Sequence, residues 1–355
     1  MKFGKLSKEL MENLIYRYLG ASDNALIVPP SRGIDFSVID IGDYSLIVEV
    51  DPFFVVPEYG WERSAWFAVH ILASDVAVSG VPPRYLFVDL NLPLKMSEED
   101  LKALWVNVHK ECLKLGVSIA GGHTGRYEGT DFPMIGGAVM IGVAKRGEYV
   151  TPAMARPGDY VIMTKGPGIE TAGILSVMFP DVLKKHYGEE FADRAERLFW
   201  EQSVVKDALT LAKLGLRTGV TGMHDATEYG VWGALHDVKD ASGYGVRIYE
   251  NRLFIRDEVK KVVELFSRLT DIDVDVYSSI SEGTLIATVN ASLADEALRL
   301  LRSQGIDASV IGEVIDKPEV ELIKKDGSKK KVELPEEDPF WILFSETRKL
   351  FGERK

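Results

Sequence analysis

The sequence predicts an α+β chain folded as two domains, on three observations. Its 355 residues are about two typical domains long. Segments of strand and helix character follow one another in both halves. A turn-rich stretch from Glu148 to Asp159, with Pro152, Pro157 and Gly158, separates two sets of apolar runs. The break is placed near residue 150, which gives residues 1–150 and 151–355. Hydrophobic residues at 46% and charged ones at 27% match globular chains and exclude wholesale disorder.

Leu6, Leu10, Leu14 and Tyr18 recur at helical spacing behind Ser7, so 6–19 reads as a docking helix. Ala25–Val28, Phe36–Ile41 and Tyr44–Val50 read as strands between Pro, Gly and Asp turns. Trp66, Val69, Leu72 and Val76 suit a buried helix from Trp61 to Ser79, stopped by Gly80. Arg84–Leu92 is strand-like. Ser97 caps a helix that carries Glu98, Glu99 and Asp100 in its first turn and ends at Gly116. Strands Val117–Ala120 and Pro133–Val143 complete this half.

The second half opens with strand Tyr160–Thr164 and helices at 171–179, 192–202 and 204–214. Strand Val220–Gly222, helix 228–241, strand Val246–Tyr249 and helix 257–269 follow. Strand Thr284–Val289, helix 292–304 and strand Ser309–Ile315 come next. Lys325-Asp326-Gly327-Ser328 joins a hairpin, and a helix from about Pro339 ends the chain. Lys329-Lys330-Lys331 lies beside the hairpin tip and reads as a solvated edge.

With 42 basic and 54 acidic residues, a net charge of -12 opposes a broad grip on nucleic acid or on an anionic membrane. Cys112 is the single cysteine, so no internal disulfide and no multi-thiolate zinc site can form. Charges interrupt Met1–Tyr18, and no apolar run of about 20 residues occurs, so the expected location is the cytoplasm. Walker, dinucleotide-binding, nucleophile-elbow and His-Glu-x-x-His motifs are missing.

Five patches place polar chemistry beside apolar strands. The first is Asp23-Asn24-Ala25 together with Asp51 at a strand end; such aspartates also serve as turn caps. The second is Ser74-Asp75-Val76, where a carboxylate in a buried helix requires a cation, a metal or several donors; Arg63 and Arg84 are the alternative partners. Asp23, Asp51 and Asp75 together suit Mg²⁺. The third is Gly121-Gly122-His123-Thr124-Gly125-Arg126, read as a glycine turn able to nest an anion with Arg126 beside it. The fourth, Met223-His224-Asp225-Ala226-Thr227-Glu228, joins helix-capping residues to an acid–base cluster. The fifth is Ser281-Glu282-Gly283-Thr284.

In their order, these patches resemble the aminoimidazole ribonucleotide synthetase-like superfamily. Asp23-Asn24-Ala25 resembles its Asp-Asp-Ala element, and Val50-Asp51-Pro52 its Thr-Asp-Ser element. Ser74-Asp75-Val76-Ala77-Val78-Ser79-Gly80-Val81-Pro82-Pro83 is similar to Asn-Asp-Leu-Ala-x-x-Gly-Ala-x-Pro, and Gly121-Gly122-His123-Thr124 to Gly-Gly-Asp-Thr. The resemblance implies an N-terminal mixed sheet that pairs across a homodimer and binds ATP, and a C-terminal α/β domain that closes over a small-molecule substrate. It implies Asp23, Asp51 and Asp75 as Mg²⁺ ligands, with Asp51, Asp75, Gly121, Gly122, His123, Thr124 and Arg126 around ATP. Glu282, His224 and Asp225 are the catalytic candidates, and the implied reaction is phosphoryl transfer to a substrate oxygen.

Within the superfamily the hydrogenase-maturation dehydratases are most similar, which implies a maturation protein as a further partner. Their thiocarbamate rides on a C-terminal cysteine, whereas this chain ends Phe351-Gly352-Glu353-Arg354-Lys355. Dehydration on its own tail is therefore not expected. Two rival readings are a noncatalytic nucleotide-binding paralogue and a metal-dependent hydrolase built on His123, His224, Asp225 and Glu228.

Overall fold

A computed structural model of the chain describes residues 6–352. The last tail residues, 353–355, and the basic start, 1–5, lie outside the described residues. Two sheets form the frame. The first has the order β1-β2-β3-β6-β4-β5. Its strands are β1 (Leu26–Val28), β2 (Ser37–Ile41), β3 (Tyr44–Phe54), β4 (Pro83–Pro93), β5 (Ser118–Tyr127) and β6 (Met134–Lys145). All its pairings are antiparallel except β4 with β5.

Helices α1 (Trp61–Ala77) and α2 (Glu98–Leu115) belong to this half. α1 is buried nearly all round, from Ser64 to Val69 and from Leu72 to Ala77, as expected of a helix with apolar residues on every face. α2 begins with a reciprocal cap between Ser97 and Asp100 and ends at Gly116, whose φ of +70° suits glycine. Leu104, Val108 and Cys112, four residues apart, form its buried stripe.

The expected turn at Gly121-Gly122 is not a turn. β5 runs straight through it, with Val88 opposite Gly122 and Asp89 opposite His123. Gly122 has φ +144°, and a Cβ there would lie 1.9 Å from the Val88 carbonyl oxygen. The missing side chain lets two backbones close into a ladder. The N-terminal segment also departs from expectation. Only Lys8–Leu10 and Met11–Ile15 are helical, and Leu10, Leu14 and Tyr18 stay exposed instead of docking.

The second sheet has the order β13-β12-β9-β11-β7-β10-β8. It comprises β7 (Tyr160–Thr164), β8 (Val220–Asp225), β9 (Gly245–Tyr249), β10 (Leu285–Val289), β11 (Ala308–Ile315), β12 (Val320–Ile323) and β13 (Lys329–Lys331). β8 continues three residues past its expected end, so His224 and Asp225 stand on the strand, opposite Ile286 and Leu285 of β10. A helix at Pro180–Tyr187 was not foreseen; it follows the helix Ile169–Met178 after one residue and starts on a proline. One apolar cluster runs from Val69, Leu72 and Val76 of α1 to Val204, Ala208, Val220 and Leu285, so the halves share core. No helix among the described residues is long and apolar enough to cross a membrane.

Candidate functional site

Strand periodicity and a buried helix bring the first carboxylates together. On β3, Ser45, Ile47 and Glu49 alternate inward, and Asp51 continues the same face. α1 presents Asp75, only 8% exposed, to that face. Carboxylate oxygens of Glu49, Asp51 and Asp75 lie within 4.8 Å of one another. Burial, then Asp225, Asp35, Asp51 and Glu49, holds the Asp75 carboxyl well above the usual carboxylate range. Glu49 is raised by burial and then by Asp51. The alternative partners of Asp75 are engaged elsewhere: Arg63 pairs with Glu196, and Arg84 lies over the Tyr85 ring at 5.4 Å.

A second group joins the two halves of the chain. Asp35, just ahead of β2, meets His224 and Asp225 at the end of β8, again with ligand atoms within 4.8 Å. His224 Nδ1 is 3.4 Å from Asp35 Oδ2, and Nε2 is 3.6 Å from Asp237 Oδ2. Burial alone would drive the proton off this imidazole. Asp35, Asp225 and Asp237 outweigh that effect and push it up to about 10, so His224 is a cation among carboxylates. Asp23, expected as a ligand, is in neither group: its exposed carboxylate accepts the Ala25 N–H at 2.8 Å, the turn-cap role. Asp35 belongs to the second group.

Asp225 and Asp35 act on Asp75 more strongly than its own neighbours Asp51 and Glu49 do, so the two groups share one field. Glu282 joins from the loop before β10. It is 2% exposed, and its Oε1 has no hydrogen-bond partner. Burial, Asp225 and Glu170 raise its carboxyl well above the ordinary range. The loop is pinned to the β7 side: Glu282 N–H donates to Glu170 Oε2 at 3.0 Å, Gly168 N–H to Ser281 Oγ at 2.7 Å and Thr284 Oγ1 to the Gly166 carbonyl at 2.6 Å. Ser74, one residue before Asp75, accepts the Val204 N–H at 3.1 Å and ties α1 to the second half.

Of the residues singled out from the sequence, the structure brings Asp51, Asp75, His224, Asp225 and Glu282 together, and it adds Asp35, Glu49 and Glu170, which the sequence did not mark. A charged residue in the inward register of an apolar strand was the available signal for Glu49. Gly121, Gly122, His123, Thr124 and Arg126 lie along β5, an edge strand with mostly exposed residues. His123 Nε2 bonds the Tyr127 hydroxyl at 2.8 Å, and Arg126 donates to the Leu94 carbonyl. The glycine turn expected to nest an anion is extended strand, and His123 is not brought to His224. Hard carboxylate oxygens so gathered suit a divalent cation that also takes phosphate oxygens.

Comparison with known proteins agrees with this architecture. The family model for the AIR synthase related protein N-terminal domain matches residues 33–144, and that for its C-terminal domain matches residues 156–325. A protein of Methanocaldococcus jannaschii named for hydrogenase expression and formation is 25% identical over 351 residues, covering 95% of this chain and 96% of the relative. The carbamoyl dehydratase HypE of Escherichia coli is 29% identical over 273 residues, 75% of each chain. Among solved structures, HypE from a HypE–HypF complex superposes with a TM-score of 0.71 at 22% identity, over 92% of this chain and 99% of that one. HypE in complex with ATP superposes at 0.65 and 21% identity, over 95% and 97%. The structural likenesses show the shared fold, and the two matching domains show the lineage: the chain belongs to the AIR synthase related family.

Proposed function

We propose that the chain is an ATP-using enzyme that activates a small substrate oxygen by phosphoryl transfer. The observation that carries this reading is the shared field of Asp35, Glu49, Asp51, Asp75 and Asp225, built from both halves. Buried carboxyls that raise one another are relieved by a cation, and phosphoryl transfer depends on positioning and charge neutralisation. The donor set fits Mg²⁺. Asp51 and Asp75, with Asp35 in place of Asp23, would hold it, and it would draw negative charge from the phosphate oxygens of ATP. The HypE structure solved with ATP supports the choice of nucleotide.

The chain's own groups do the rest. Burial and Asp225 hold the Glu282 carboxyl well above the usual carboxylate range, and its Oε1, which has no hydrogen-bond partner, is left to bind the substrate. Glu170 fixes that loop through the Glu282 N–H. The imidazolium of His224 steadies Asp35 and Asp225 between the sheets. Gly121, Gly122, Thr124 and Arg126 would serve ATP from an extended edge strand, through backbone N–H groups and an exposed guanidinium.

A homodimer and a division near residue 150 complete the proposal. The outer face of the first sheet exposes Ile41, Tyr44, Val50 and Met134 at 55–67%, an apolar surface that a second copy would cover. The names of the relatives favour a hydrogenase-maturation protein as a further partner. The test is phosphate release from ATP across a panel of amides, carbamoyl compounds and phosphate esters. Release that requires both Mg²⁺ and one substrate is expected. Substrate turnover that proceeds without ATP would overturn the reading.

A further inference from the structure

A cavity of about 530 Å³ opens between α1 and the second half, with Trp66 and His70 on one wall and Lys165, Trp200, Ser203 and Arg256 on the other. Within it His70 Nδ1 lies 2.9 Å from Ser203 Oγ, and His70 Nε2 lies 3.7 Å from Glu111 Oε2. Trp66 stacks on the imidazole at 4.3 Å between ring centroids, tilted 21°, which fixes the ring plane. Glu111 is 5% exposed and is anchored by Lys114 at 2.7 Å.

These contacts select one tautomer. A carboxylate facing Nε2 keeps the proton there and leaves Nδ1 bare to take the hydroxyl proton of Ser203. Burial holds His70 below its usual range against the pull of Glu111, so the base is neutral at pH 7. The Lys165 ammonium donates to the Ser203 backbone carbonyl oxygen at 2.7 Å and to Asp207 Oδ2 at 3.1 Å, which anchors the main chain that carries the hydroxyl. Ser203 also touches the Val205 N–H at the start of the helix Val205–Leu211, but at 3.5 Å, longer than its bond to His70.

We propose that Ser203, His70 and Glu111, none of them a member of the acidic cluster, form a second reaction centre that hydrolyses carboxylic esters through an acyl-serine. Ser203 Oγ bonds to the carbonyl carbon while its proton passes to His70 Nδ1. The bond to the alkoxy oxygen breaks, and the alcohol leaves with that proton. Water then adds to the acyl carbon, losing a proton to His70. The Oγ–C bond breaks, Ser203 recovers its proton and the acid departs. Glu111 acts as a positioning residue, and the exposed Trp200 ring on the cavity wall gives an aromatic ester a surface to pack against.

The test uses the full chain without ATP, a fluorophosphonate probe and p-nitrophenyl acetate. One adduct per chain on Ser203, located by peptide mass, is expected. Ester hydrolysis should fall by about 100-fold or more in Ser203→Ala and in His70→Gln, the usual worth of a nucleophile–base pair. No adduct, an adduct on another residue, or wild-type labelling in His70→Gln would overturn the proposal. Mapping on the unmodified chain decides the matter even where a variant does not fold.

Discussion

The His224 imidazole, at the end of β8, sits 3.4 Å from the Asp35 carboxylate, which precedes β2. Through this contact the second sheet reaches into the first half, and Asp225 comes within the field of Asp75. The proposed cation site is expected to draw on Asp35 rather than on Asp23. Asp35→Asn should weaken Mg²⁺-dependent nucleotide binding by tenfold or more, about 1.4 kcal/mol, while Asp23→Ala leaves it within twofold. Titration calorimetry on both variants checks this; equal losses would remove the distinction.

The frame of the molecule was legible because apolar periodicity dictates it. Strand Tyr160–Thr164 and the capped helix after Ser97 fall where alternation and capping chemistry placed them. The site was legible only in part, for physical reasons. Asp35 closes the Pro29-Pro30-Ser31-Arg32-Gly33 turn region and reads as an ordinary turn residue; its meaning comes from His224, far along the chain. Asp23-Asn24 carried the stronger local signal, and in the structure Asp23 Oδ1 accepts the Ala25 N–H within its own turn. Gly121-Gly122 looked like a turn because glycine permits turns; whether a glycine bends the chain or admits a neighbouring backbone depends on the strand beside it.

Gly122→Ala tests that second role. The added methyl would fall against the Val88 carbonyl oxygen on a backbone at φ +144°, so the edge strand must shift. A loss of about 1–3 kcal/mol is expected, read as a fall of several degrees in thermal melting. An unchanged melting temperature would show that β5 tolerates a side chain there.

Glu170 gives the fold a pH dependence. Burial, with Asp338, Glu228 and Asp225 adding to it, pushes its carboxyl up to about 8 from 4.5, against the Glu282 N–H. The folded state thus binds a proton more tightly than the unfolded state does. The corresponding stability is fully present below about pH 4.5 and is lost as pH rises through about 8. Glu170→Gln keeps an acceptor for the Glu282 N–H and removes the titration, so its melting temperature should decline less across that window. Parallel wild-type and variant profiles would contradict the assignment.

The exposed face of the first sheet predicts self-association. Val50 is 67% exposed on the face that also exposes Ile41, Tyr44 and Met134. Val50→Lys should convert a dimer to a monomer in light scattering, with circular dichroism unchanged. A monomeric wild-type chain would remove the proposed dimer.

The most direct measurement of the central claim is calorimetric titration of ATP, with and without Mg²⁺, into the wild-type chain and Asp75→Ala. The account predicts wild-type binding that weakens at least tenfold without Mg²⁺, and no measurable binding in the variant. The variant should melt no lower than wild type, since a buried carboxyl raised by its neighbours is removed. Nucleotide affinity unchanged in Asp75→Ala would contradict the account.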